Sequence, residues 1–90
     1  MSIQIKIHRV HRPFTNHREL VEVMGLTVGD CLKDLIRQFP TIEGALFDEK
    51  GNLVNNIEIF VNQESAYPNE LGKAVSEGDI IHLTLVIDGG

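Results

Sequence analysis

The chain has 90 residues, 42% hydrophobic and 23% charged, with a formal net charge of -5 at pH 7. That length fits one domain with a modest core, and the composition is globular rather than disordered. The acidic balance argues against a nucleic-acid surface, which needs clustered Lys and Arg to displace counterions from phosphate.

MSIQIKIHRV holds no long apolar run, so neither a signal peptide nor a membrane-spanning helix is expected there, and a cytoplasmic location is the default. Within that stretch Ile3, Ile5 and Ile7 alternate with Gln4, Lys6 and His8, the period of two that turns one face of a strand to a core. HRPFTNHR carries turn chemistry at Pro13 and Asn16, and Leu20 to Val23 reads as a second strand with Val21 and Val23 inward, giving an N-terminal hairpin. Gly25 closes that strand. Thr27 is placed to cap a helix, with Asp30 near its positive end. Val28, Leu32, Leu35, Ile36 and Phe39 then form one helical stripe that Pro40 stops.

From Thr41 to Asn56 the signals are mixed: IEGALF suits a short helical turn and DEKGN a loop. Ile57, Ile59 and Val61 alternate with Glu58, Phe60 and Asn62 as a third strand, followed by a loop through Tyr67, Pro68 and Asn69 that has room for a minor strand. Glu77-Gly78-Asp79 is a turn into the last strand, with Ile81, Leu83, Leu85 and Ile87 on one face and Ile80, His82, Thr84 and Val86 on the other. One substantial helix over a mixed sheet predicts a two-layer α+β fold of the β-grasp, ubiquitin-like kind: a single domain over 1–90 with a flexible C-terminal Gly-Gly tail over about 86–90.

The lone Cys31 permits no internal disulfide, in keeping with a reducing compartment; beside Leu32 on the helix it reads as a buried thiol rather than a sulfur-handling nucleophile. His8, His11 and His17 raise the question of a metal. His8 and His11, an odd number apart, should point to opposite faces of a continuous strand, and no Cys or carboxylate completes a ligand spacing, so no metal is expected. Asp30 and Asp79 read as helix-end and turn residues.

The sequence closes on LTLVIDGG. At an average glycine usage of about 7%, two glycines at two fixed positions arise by chance in roughly 0.5% of chains, which is suggestive without being a function. TVGDCLKDLIRQFP, LFDEKGNL, IFVNQES and SEGDIIHLTLVIDGG, in that order behind a hairpin, resemble the ThiS/MoaD family of ubiquitin-like sulfur carriers across essentially the whole chain. The EGD turn ahead of the Gly-Gly pair, behind a β-grasp pattern, is far more specific than either motif alone.

The resemblance implies a protein cosubstrate rather than an enzyme, with no permanently bound cofactor. A ubiquitin-activating-type enzyme would use ATP to adenylate the Gly90 carboxylate, a persulfide would then replace AMP on the way to a C-terminal thiocarboxylate, and a downstream synthase would accept the sulfur. A carboxylate is a poor acyl electrophile until it gains such a leaving group. Gly89 and Gly90, without Cβ atoms, suit a tail threaded into a narrow site. Phe60, His82, Thr84 and Val86 offer an outward strand face for the partner, with Ile87 and Asp88 following into it; Phe60 is equally suited to packing under a loop. Asp88 sets a negative charge near the reacting carboxylate, so either the activating enzyme supplies a basic group there or activation is inefficient.

Three branches of the family stay open. Leu85 to Asp88 replaces the proline-rich tail of many molybdopterin synthase small subunits, VIDGG is nearer the thiamine-type carriers, and RPFTN before TVGD is similar to carriers that serve cysteine biosynthesis. The alternatives are a molybdopterin synthase small subunit and, in other classes, a protein modifier joined to target lysines or a non-covalent β-grasp interaction module.

Overall fold

The alternation of Ile3, Ile5 and Ile7 becomes strand β1 (Ile3–Lys6) in the computed structural model, which describes residues 2–86, and all three isoleucines are fully buried. β2 (Leu20–Val23) runs antiparallel to it, with Val23 opposite Ile3 and Val21 opposite Ile5. β5 (Ile80–Leu85) lies on the other side of β1 and runs parallel to it, Ile81 opposite Ile5. β3 (Ile57–Val61) pairs antiparallel with β5, and the two-residue β4 (Glu64–Ser65) closes the far edge. The order is β2-β1-β5-β3-β4, a mixed five-stranded sheet with the last strand at its centre.

One helix fills the inner face. The Thr27 side chain accepts the Asp30 N–H at 3.1 Å, so the cap predicted from TVGD forms, and α1 follows at Val28–Gln38. Val28, Cys31, Leu32 and Leu35 are buried against the sheet, with Ile36 and Phe39 packed at the margin. Gly25 makes the close entry possible: a Cβ there would stand 2.7 Å from the Asp30 Cβ and 2.9 Å from the Cys31 nitrogen, nearer than a side chain can be placed. The mixed stretch after Pro40 is a 3-10 turn (Pro40–Ile42) leading into α2 (Glu43–Leu46), and it supplies Ile42 and Leu46, both fully buried, to the same core. At the EGD turn Gly78 takes φ +90, and the Asp79 carboxylate accepts the Ser76 N–H at 2.8 Å and the Asn62 amide at 3.2 Å, bonds that hold it below the usual carboxylate range.

β2 is an edge strand, and the helix blunts it. Asp34 accepts the Met24 N–H at 3.0 Å, and Gln38 donates to the Glu22 carbonyl at 2.9 Å. Burial works against the Asp34 charge, yet the hydrogen bonds from Arg37, Met24 and Gln38 outweigh it and lower its pKa.

HRPFTNHR differs from its reading as a plain turn. Residues Arg9–Thr15 form a 3-10 helix with Pro13 inside it, capped by His8, whose Nδ1 accepts the Val10 N–H at 3.1 Å. Asn16 and His17 at φ 54 and φ 65 then end it, so the turn signal at Asn16 marks the stop rather than the whole segment. The fully buried Thr15 hydroxyl lies 3.2 and 3.0 Å from the carbonyls of Arg12 and Arg18 and ties the coil to its exit. The expectation that His8 and His11 face opposite ways is overturned: no continuous strand joins them, and their rings lie 6.4 Å apart, edge to face. His11 is only 4% exposed and its Nδ1 has no partner; burial, and secondarily His8, lower its pKa.

Two measurements check this packing. Leu32→Ala should cost about 3 kcal/mol in denaturant unfolding, the range for a buried leucine cut back to alanine. The second concerns pH. Because the folded state disfavours protonated His11, the unfolded chain binds more protons below the ordinary value of 6.5, and stability should decline as pH falls from about 6.5. Asp34 and Asp79 lose their contributions only at the lower pH where carboxylates titrate. Melting temperatures of His11→Phe should therefore be flatter than wild type just below pH 6.5; parallel profiles would exclude His11 as the source.

Candidate functional site

The alternation that fills the core also composes the outer face of the sheet. With Ile81 and Leu83 buried, His82 and Thr84 of β5 face outward, and strand register fixes their neighbours. His82 pairs with Lys6 on one side and Phe60 on the other; Lys6 pairs with Leu20, and Phe60 with Ser65. A single row, Leu20, Lys6, His82, Phe60 and Ser65, thus crosses all five strands. One step further along β5, Thr84 stands opposite Glu58, and its hydroxyl donates to the Glu58 carbonyl at 2.8 Å.

Val86 follows. It is 47% exposed, and its N–H donates to the Asn56 carbonyl at 2.8 Å, which carries the sheet pairing one residue past β5. Val86 also stands at the rim of a cavity of about 500 Å³ between the loop around Leu53 and Asn55 and the loop around Tyr67 and Leu71. Phe60, His82, Thr84 and Val86 are therefore gathered on one surface, partly or half exposed. Ile87, Asp88, Gly89 and Gly90 lie outside the described residues.

Leu20 and Lys6 complete the row and were not singled out from the sequence as partner-facing residues. The outward phase of Lys6 is legible in the first strand; its position beside His82 is not, because it depends on the parallel pairing of strands far apart in the chain. Phe60 is only partly exposed, held in the row between His82 and Ser65.

Cys31 is fully buried, and burial first, then Asp30 and Asp34, push its thiol up to about 11. At neutral pH it is a protonated core thiol, poorly suited to nucleophilic sulfur handling. Asp30 stays at the helix start, its carboxylate 3.4 Å from the Leu26 N–H. Among the described residues no group of three or more His, Cys, Asp or Glu is placed to hold a metal ion, and no helix is long and apolar enough to cross a membrane.

No family model matches the chain. Individual proteins do. It is 28% identical over 93 residues to the sulfur carrier protein CysO of Mycobacterium tuberculosis, across the full length of both. It is 37% identical over 71 residues to small archaeal modifier protein 1 of Haloferax volcanii, covering 78% of each chain. In the crystal structure of the Amycolatopsis orientalis BexX/CysO complex, one chain superposes with a TM-score of 0.87 at 26% identity, covering 98% of this chain and 99% of that one. These relatives are a sulfur carrier and a protein modifier, not enzymes. With its mixed five-stranded sheet closed over one main helix and these relatives along its length, the chain belongs to the ThiS/MoaD-type β-grasp family of small sulfur carriers and ubiquitin-like modifiers.

Proposed function

We propose that this protein is a sulfur carrier whose Gly90 carboxylate is adenylated at the expense of ATP and converted to a thiocarboxylate. The observation that carries the reading is the likeness to CysO over the whole of both chains, joined to the Gly89-Gly90 pair. The chemistry asks for two things: a carboxylate made electrophilic by a phosphate leaving group, and a tail thin enough to enter the enzyme that does it. The chain itself supplies the tail and a surface to be held by. Sulfur would come from a persulfide, whose outer sulfur expels AMP to give an acyl disulfide; a second thiol then cleaves the S–S bond, leaving the thiocarboxylate and a donor disulfide. The loaded carrier would dock on a separate sulfur-accepting protein; the BexX/CysO complex, in which a similar chain is bound to another protein, supports docking of that kind. No cofactor need reside on the chain for this.

In this reading Phe60, His82, Thr84 and Val86 form the docking face, and Ile87 and Asp88 lead Gly89 and Gly90 into the partner's active site. The 37% identity to small archaeal modifier protein 1 favours one alternative specifically, conjugation of Gly90 to lysines of other proteins. Activation by adenylation is common to both; they separate at the acceptor.

Incubation with ATP, a persulfide donor, a thiol reductant and a cognate activating enzyme should raise the intact mass by the exchange of one oxygen for sulfur, and deletion of Gly90 should abolish the change. No adenylate and no thiocarboxylate with a cognate enzyme would remove the carrier reading, while higher-mass conjugates in cells would favour the modifier. A separate expectation concerns the face: Phe60→Ala and Val86→Ala should each slow thiocarboxylate formation about tenfold, the effect of losing roughly 1.4 kcal/mol of docking energy, with the circular dichroism spectrum unchanged. Unchanged rates in both would move the docking surface elsewhere.

A further inference from the structure

The net charge is -5, yet Lys6, Arg9 and Arg12, together with the imidazoles of His8 and His82, line one cleft of about 400 Å³ whose walls include no Asp or Glu. The fold makes the cluster. β1 and β5 run parallel, so Lys6 sits beside His82, and the chain leaving β1 enters the 3-10 helix at the end of the sheet toward which β5 also runs. The coil then folds His8, Arg9 and Arg12 over Thr84 of β5. Arg12 is fixed in place: its Nε donates to the Ile7 carbonyl at 3.1 Å and its Nη2 pairs with Glu19 at 3.1 Å. Among the described residues Lys6 and Arg9 take part in no ion pair, and both are exposed.

We propose that this cleft receives a carboxylate-rich segment of the protein that docks on the outer face, so that an acidic element of the partner is read beside the exit of the last strand. Three features favour such an occupant. The basic side chains line an open cleft that shares Lys6 and His82 with the row Phe60 continues, so an occupant of the cleft adjoins whatever docks on that row. The rest of the chain is acidic enough to repel a long polyanion such as nucleic acid, whereas a short acidic loop meets only this side. Charges at the rim of an interface steer encounter and fix orientation, and orientation is what a carrier must control if its tail is to enter an active site.

This inference rests on the carrier reading only in taking the occupant to be a docking protein; anion binding itself can be tested without any sulfur chemistry. Octaglutamate titrated into the full-length, isotope-labelled protein at low salt should shift amide resonances concentrated at 6–12 and 82–84, and added salt should reverse the shifts. Lys6→Gln combined with Arg9→Gln, both exposed substitutions, should weaken octaglutamate about fivefold while the remaining spectrum overlays wild type. Shifts scattered over the surface, or equal in the double variant, would overturn the proposal. So would pyrophosphate acting at the same concentration as octaglutamate, which would mark a small-anion site. Tighter octaglutamate binding by Asp88→Asn would instead give the cleft to the chain's own tail. Thiocarboxylate formation, followed by mass on the same samples, fails or succeeds separately, so loss of the carrier reading is distinguishable from loss of the cleft.

Discussion

The parallel pairing of β1 with β5 is the interaction on which the rest of this structure depends. It joins the first strand of the chain to the last, across more than seventy residues, and it places β5 between β1 and β3 where both its edges are hydrogen-bonded. Ile5 and Ile81 face each other there under α1, and both are fully buried. A strand paired on both sides and covered on one face is the hardest part of a sheet to open, because every backbone bond lost is lost together with apolar burial. The proposed reactive end of the protein is thus attached to its most constrained strand. Parallel pairing also needs a long crossover, and here that crossover contains α1, so the same event that seats β5 closes the core.

One-sided cover follows from having a single substantial helix. The inner face is apolar throughout; the outer face carries Leu20, Lys6, His82, Phe60 and Thr84, a mixture neither dry enough to demand permanent burial nor polar enough to exclude a partner. The edges are treated differently from the face. At β2, Asp34 and Gln38 of α1 occupy backbone groups that would otherwise be open to another strand. At β4 the strand is only two residues long, and the Glu64–Lys73 ion pair lies beside it. Association through strand addition is discouraged at both sides, which is consistent with the docking proposed on the outer face.

Local signals in the sequence recover most of the elements, and the reason is consistency. Ile3, Ile5 and Ile7 alternate, Thr27 caps, Val28 to Phe39 form a stripe and Pro40 ends it, and in each case tertiary packing asks for what the local pattern already offers. The N-terminal coil fails this test. Pro13 and Asn16 announce a turn, but burial of His11 and Thr15 winds the segment into a 3-10 helix, and burial is a tertiary demand that turn residues do not encode. For the proposed docking face, the outward placement of Phe60, His82 and Thr84 was legible because they belong to two strands with clear phase, and Val86 continues that phase one residue past β5. Lys6, Leu20 and the cationic cleft were not legible, because their neighbours are set by strand order, and strand order is invisible to periodicity. Cys31 was legible as a core thiol from its place beside Leu32 on the helical stripe, and the structure adds Asp30 and Asp34 as further reasons for its high pKa.

On the carrier reading, docking and chemistry are coupled through the end of the central strand. The Val86 N–H is the last described tie to the sheet, and four residues cover at most about 14 Å however they are arranged. On the carrier reading, the enzyme's reacting phosphate or sulfur must therefore come within that distance of Val86, and an enzyme bound on the helix side of the sheet would have to reach around the molecule to do so. The outer face and the cationic cleft share His82 and Thr84 of β5, four and two residues before Val86. The stiffness of β5 is, on this argument, part of how Gly90 would be delivered.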